Sequence, residues 1–310
     1  MKAILTLALS IFTLGLAAQT QWGAKFEQID NLLPTPNQYR TGSGEPGPAY
    51  WQQQADYKIK VTLDDTNQKV TGSEVITYHN NSPSTLKYLW VQLDQNVRQK
   101  DNLGAITSGG SAIPDNAKAI GTAQAQSIFG DTGFDGGFNI EEVKTGGDKL
   151  SYTINNTMMR IDLPEPLEAG ESFTFSVKWW YNVNNHITDR ARSGYEEFED
   201  GHRAYEIAQF FPRMAVYNDV EGWQNMQFWG SGEFALPFGD YEVSITVPAD
   251  HVMEATGVLQ NRDDVYTKDM MKRYKKAQKS YDEPVIIRTQ EEAVEASKGF
   301  EKKTKTWEYK

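Results

Sequence analysis

Four histidines are the only imidazoles in this 310-residue chain, and their followers spoil the commonest zinc pattern: His79-Asn80, His186-Ile187, His202-Arg203 and His251-Val252. None opens an H-E-x-x-H helix, in which two imidazoles share one face for zinc and the glutamate acts as base. Cysteine is absent, which removes thiolate ligands, disulfides and a cysteine nucleophile together. The densest mixture of imidazole and carboxylate is HITDRARSGYEEFEDGHR (186–203), where His186 and His202 bracket Glu196, Glu197, Glu199 and Asp200. Such groups could hold a metal, move protons or cleave a glycoside. Their spacing matches no defined ligand set and no second carboxylate can be placed opposite, so the stretch reads as a solvated acidic loop. GDTGFDGG (130–137) lacks the aspartate ladder and terminal glutamate of a calcium loop and reads as an Asp/Gly turn. Neither a G-x-S-x-G elbow nor a phosphate loop occurs.

Aromatic residues offer the other chemistry, stacking on sugars or peptides. Trp179 and Trp180 lie in a strand pattern and read as packing, whereas Trp223 and Trp229, in the turn-like GWQNMQFWGSGEF, are the better candidates for a surface role. YEIAQFFPRMAVYND (205–219) reads as a strand and then a turn. Phe210 and Phe211 fill and edge the core, Pro212 ends the ladder because it has no N–H to donate, and Arg213 pairs with Asp219.

The elements that must position these residues are mainly strands. YKIKVTL (57–63), a DDTNQ turn and KVTGSEVITYHN (69–80) form a hairpin, with Val70, Val75 and Ile76 among the apolar members of the second strand. Further strands are expected at 86–94, 149–164, 173–183, 240–248 and 251–261, with short ones in PVIIRT and KTKTWEYK. Strands at short intervals separated by turn chemistry, in a chain with 8 Trp, 15 Tyr and 14 Phe, indicate an all-β dominated sandwich. Residues of about 100–137 are Gly, Ala and Ser rich and form an insertion. A helical insertion spans about 264–300, with helices over 267–281 and 289–300, the latter ending near Gly299. The closing strand has nothing after it and looks cut short.

The N-terminus has its own logic. Lys2, the apolar AILTLALSIFTLGLAA and the small pair Ala17-Ala18 before Gln19 read as a signal peptide over 1–18, followed by an irregular lead-in over 19–49. The protein is expected to be exported: periplasmic, outer-surface or extracellular, with no membrane span after signal removal. Forty-two acidic against 31 basic residues, a net charge of -11 and no basic stripe argue against nucleic acid as a partner.

Taken in order, the segments resemble the N-terminal β domain of aminopeptidase N-like (gluzincin) zinc metallopeptidases, in their secreted bacterial form, over about 50–310. The hairpin through NNSPSTLKYLWVQL resembles that family's entry strands, AQFFPRMAVYND its F-P segment, and FGDYEVSITVPADHVMEATGVLQN the following strand pair. The resemblance implies a saddle-like β-sandwich that covers the active-site cleft of a thermolysin-like catalytic domain and helps bind peptide. That catalytic domain, with its zinc, is missing here, so the chain is expected to be a fragment, inactive alone and free of cofactor, with the catalytic domain and a peptide substrate as partners. The substrate-amine loop G-x-M-E-N is missing too: Met253-Glu254 is followed by Ala255 inside an A-T-G turn. The resemblance points to Glu206 and Gln209, beside the F-P segment, as substrate-binding residues. The alternative is a free-standing secreted β-sandwich binding peptide or glycan through its Trp-bearing loops.

Overall fold

The computed structural model describes residues 36–100, 102, 118–119, 121–122, 133–189, 193–230, 235–296, 298 and 303–310. The stretch expected to be a signal peptide, the lead-in up to 35, most of the stretch 100–137, the start of GDTGFDGG and Gly299 lie outside them. The chain divides into two units, Met1–Trp51 and Gln52–Lys310. In the first, the described residues make a turn in which Thr41 N–H donates to the Glu45 carbonyl at 2.9 Å and Arg40 lies 5.0 Å over the Tyr50 ring.

In the second unit the alternation in the sequence becomes sheet. The hairpin is β1 (Gln54–Asp64) and β2 (Lys69–His79). Tyr57, Ile59, Val61 and Leu63 point inward while Lys58, Lys60 and Thr62 point to solvent, the period-2 pattern of a half-buried strand. Asp64 closes the turn by accepting the N–H groups of Thr66 and Asn67, both at 3.0 Å. Next come β3 (Leu86–Gln92), a 3-10 helix (Asp94–Arg98), β4 (Asn139–Thr145) and β5 (Asp148–Lys149). They are followed by β6 (Tyr152–Asn155), β7 (Met158–Leu167) and β8 (Ser172–Asn182). The short strands β9 (Gly194–Glu197), β10 (Arg203–Glu206), β11 (Arg213–Met214), β12 (Tyr217–Asn218) and β13 (Gly222–Trp223) precede β14 (Tyr241–Pro248) and β15 (Thr304–Tyr309).

One sheet has seven strands in the order β15-β14-β1-β2-β8-β4-β5, and a second has four in the order β11-β3-β7-β6. Only the β1–β14 pairing in the large sheet is parallel, with Tyr57 opposite Tyr241 and Val61 opposite Ile245. Leu89, Val91, Met159 and Ile161 of the small sheet join Tyr57, Ile59, Ile76 and Val177 of the large one in a single buried cluster. The fold is therefore the expected strand-dominated β-sandwich with a few helices. A hydrogen bond also joins the layers, from the Met214 N–H to the Tyr57 hydroxyl at 2.9 Å.

Several expectations change. The stretch at 149–164 is a tight hairpin, because Asn156 takes φ of 49° and turns β6 back along β7. Val75 is 41% exposed; the inward phase of β2 runs through Val70, Gly72, Glu74, Ile76 and Tyr78. The stretch at 251–261 forms no strand: His251 N–H turns back to the Pro248 carbonyl, and only Leu259 bridges Tyr309, after a bend at Gly257 with φ of 102°. PVIIRT forms no strand and joins neither sheet. It links two helices instead, its Ile287 carbonyl held by Arg273 Nε at 2.7 Å. Those helices, Lys268–Ala277 and Gln290–Ala296, begin where the sequence placed them. Thr267 caps the first, and Thr289 with Glu292 forms a capping box at the second.

Candidate functional site

A cleft of about 1410 Å³ lies over the inner face of β1 and β14. Val61 and Leu63 of β1 and Val243, Ile245 and Val247 of β14 line it, because the small sheet is narrower than the large one and leaves part of that face uncovered. The β9–β10 ribbon contributes Tyr205, the loop after β14 contributes His251 through Gly257, and the helix Gln290–Ala296 adds Ala293 and Val294. Phe210, Phe211 and Tyr241 form an aromatic wall.

The polar groups in the cleft come in local pairs. His251 Nε2 lies 3.4 Å from Asp65 Oδ2, with the Tyr205 ring 5.8 Å from the imidazole. His202 Nδ1 is 3.3 Å from Asp200 Oδ1. Burial pushes the Tyr205 hydroxyl up to about 12, and burial, then Glu254, raises that of Tyr309, whose oxygen is 3.3 Å from Glu254 Oε1. The two histidines thus belong to different aspartates. No group of three or more His, Asp or Glu side chains gathers into a metal-binding cluster among the described residues.

Of the acidic stretch, Glu199 and Asp200 sit in the turn of the β9–β10 hairpin. Glu196 and Glu197 are successive strand residues and point to opposite faces, and Glu197 pairs with Arg203 Nη2 at 2.7 Å. His186 sits at the start of a one-turn helix, His186–Asp189, and does not line the cleft. Neither Glu206 nor Gln209 lines the cleft; Tyr205, Ile207 and Phe210 do. Glu206 is exposed, with its carbonyl held by Ser193 Oγ at 3.0 Å. Gln209 is half-buried in a left-handed bend with φ of 53°, and its carbonyl accepts from Gln95 Nε2 at 2.9 Å.

That bend redraws the aromatic stretch. The strand ends at Glu206, so Pro212 stands before β11 and terminates no ladder. Phe210 and Phe211 do edge the core, with ring centroids 5.0 Å apart. Arg213 does not fix a turn with Asp219. Its Nε and Nη2 close on Asp94 Oδ2 at 2.8 and 2.7 Å, since the 3-10 helix after β3 delivers Asp94 beside β11. Burial raises the Asp94 carboxyl more than Arg213 lowers it. Trp179 is fully buried, Trp180 lies under Lys69 Nζ at 3.7 Å, and Trp223 packs against Tyr78 and Tyr217. Of the four tryptophans weighed for stacking, Trp229, at 45% exposure, faces solvent.

Two arrangements escaped the sequence reading. Glu74 points into the core, 2% exposed, with neither carboxylate oxygen hydrogen-bonded among the described residues, and burial pushes its carboxyl well above the usual range. Its inward phase between Gly72 and Ile76 was the available signal. On the solvent face, His79 bridges Asp56 Oδ2 and Ser172 Oγ, both at 2.8 Å. Burial would raise the Asp56 carboxyl, but bonds from Gln54, the Asp240 N–H and His79 outweigh it and hold it below the ordinary range. This contact depends on three strands meeting, which no local pattern records.

Fold and site define a two-sheet β domain with an apolar, acid-rimmed cleft. No family model matches the chain, and no curated protein matches it. Among solved structures, it is similar to a mutant M1 zinc metallopeptidase from Deinococcus radiodurans bound to a Tyr-Ser-Ala substrate, at 12% identity and a TM-score of 0.35 over 68% of this chain and 36% of that one. The non-mutant enzyme from the same organism gives 12% identity and 0.36 over the same shares. A mutant two-domain M1 zinc metallopeptidase bound to L-arginine gives 12% and 0.35, again over 68% and 36%. The chain thus spans 36% of the length of these structures.

Proposed function

We propose that this chain is the non-catalytic β domain of an exported aminopeptidase N-like zinc metallopeptidase, which covers the active-site cleft of a separate catalytic domain and helps hold peptide there. One observation carries the reading: the three segments that resemble the family meet in space. Tyr57 from the entry hairpin stacks on Tyr241 from the later strand pair at 4.8 Å, and Phe211 from the F-P segment packs edge-on to both, at 5.5 and 6.2 Å. Segments that keep both their order and a shared aromatic junction support one domain more strongly than any of them alone.

In this reading zinc and the catalytic base belong to the partner domain. Glu206 and Gln209 would present polar groups to the substrate's amino end from outside the cleft described above. An exported precursor would lose residues 1–18, leaving Gln19 as the first residue of the secreted product, which N-terminal sequencing reads directly.

The test is the reading frame beyond Lys310 together with an assay. A frame that continues into H-E-x-x-H, in a protein that hydrolyses alanine p-nitroanilide while the isolated chain does not, is the expected result. A stop codon after Lys310, or hydrolysis by the isolated chain that survives metal chelation, overturns it. A stop codon would favour a free-standing β-sandwich that binds peptide or glycan, for which exposed Trp229 is the observation.

A further inference from the structure

The cleft joins an apolar floor to a strongly acidic rim. Asp65, Asp200, Asp240, Glu242, Asp250 and Glu254 line it against the permanent cations Arg203 and Lys310, so two positive and six negative charges give a formal balance of -4. Both cations are already engaged, Arg203 with Glu197 at 2.7 Å and Lys310 with Glu242 at 3.2 Å. At the mouth, Phe198 and Val252 are 49% and 59% exposed. The volume of about 1410 Å³ exceeds the roughly 300–1,000 Å³ of sites that enclose a small molecule. Apolar walls of low dielectric concentrate the field of the carboxylates within the cleft.

From this the geometry points to a docking site for a protein segment that presents an apolar ridge flanked by lysine or arginine side chains. Charge complementarity selects that occupant. An acidic ligand or anionic lipid surface meets a balance of -4, and an uncharged apolar chain gains nothing from that field. An apolar ridge buries against the half-buried Val243 and Ile245 and the exposed Phe198 and Val252 while its cations reach the rim. The site stands apart from Glu206 and Gln209 and does not rest on the peptidase reading: it would bind whether or not a catalytic domain exists.

The experiment is fluorescence anisotropy on the full chain with two fluorescein-labelled helical peptides, one of leucine and lysine and one of leucine and glutamate. The leucine–lysine peptide should bind saturably and weaken with added salt. Truncating the two exposed anchors, Phe198→Ala with Val252→Ala, should weaken it at least about tenfold without disturbing the core. Asp200→Asn with Glu254→Gln should weaken it and flatten the salt dependence. Failure to saturate, equal binding of the leucine–glutamate peptide, or indifference to the anchor pair overturns the inference. Capture of phosphatidylcholine vesicles in place of the peptide would assign the cleft to a lipid surface and overturn it equally. No outcome involves hydrolysis, so the peptidase reading is tested separately.

Discussion

Arg213 and Asp94 form a buried ion pair, 119 residues apart in sequence, that locks β11 against the 3-10 helix following β3. Both guanidinium contacts go to Asp94 Oδ2, and the side chains are 14% and 0% exposed. Arg213→Ala strands the carboxylate in the core and should cost about 3–5 kcal/mol. Replacing both partners, with Arg213→Met and Asp94→Leu, should cost much less, because no charge is then left unpaired. Urea unfolding of the two variants checks this; an Arg213→Ala loss below about 1 kcal/mol would show that the pair does not hold β11 in place.

Glu74 should make the fold pH-sensitive in an unusual direction. Burial raises its folded pKa, so its contribution is complete below the ordinary glutamate range, about 4.3, and is lost as pH rises through the folded value. Glu74→Gln removes that dependence. The stability of the variant relative to wild type should therefore climb as pH rises above the ordinary glutamate range, by at most about 1.4 kcal/mol per pH unit. Urea midpoints that run parallel for the two proteins above that range would rule out a buried neutral carboxyl.

Tyr57→Phe isolates the hydrogen bond between the layers. It keeps the ring stacked on Tyr241 and removes the oxygen that accepts from the buried Met214 N–H. The orphaned donor should cost about 1–3 kcal/mol, and the Met214 amide should lose hydrogen-exchange protection before the β1–β2 amides do.

Gly72→Ala tests the close approach in β2. A Cβ at Gly72 would fall inside the van der Waals surface of the Trp179 ring. The expected loss is about 1–3 kcal/mol, from overpacking in a core position. Adding Trp179→Phe should recover part of it by withdrawing the six-membered ring; a neutral Gly72→Ala would show that the ring can move aside.

Much of the fold was legible because strands write themselves locally. The alternation from Tyr57 to Leu63, the turn at Asp64 and the Thr289–Glu292 capping box each depend on residues a few positions apart. The errors fell where identical local chemistry has two outcomes. Two short strands around Asn156 looked like one, and PVIIRT had the composition of a strand but joins no sheet.

The candidate site divides in the same way. Sequence alone determined that this chain carries no cysteine chemistry and no H-E-x-x-H motif, that it is acidic, and that it is built mainly of strands, since these follow from residue identity and short-range periodicity. Tertiary structure decided that Arg213 goes to Asp94, that His79 joins Asp56 to Ser172, that Glu74 is sealed in the core, and that six carboxylates ring one apolar cleft. Those relationships depend on which strands become neighbours and how far one sheet overhangs the other. Pairing is settled by burial summed over the whole core, and no local window contains it.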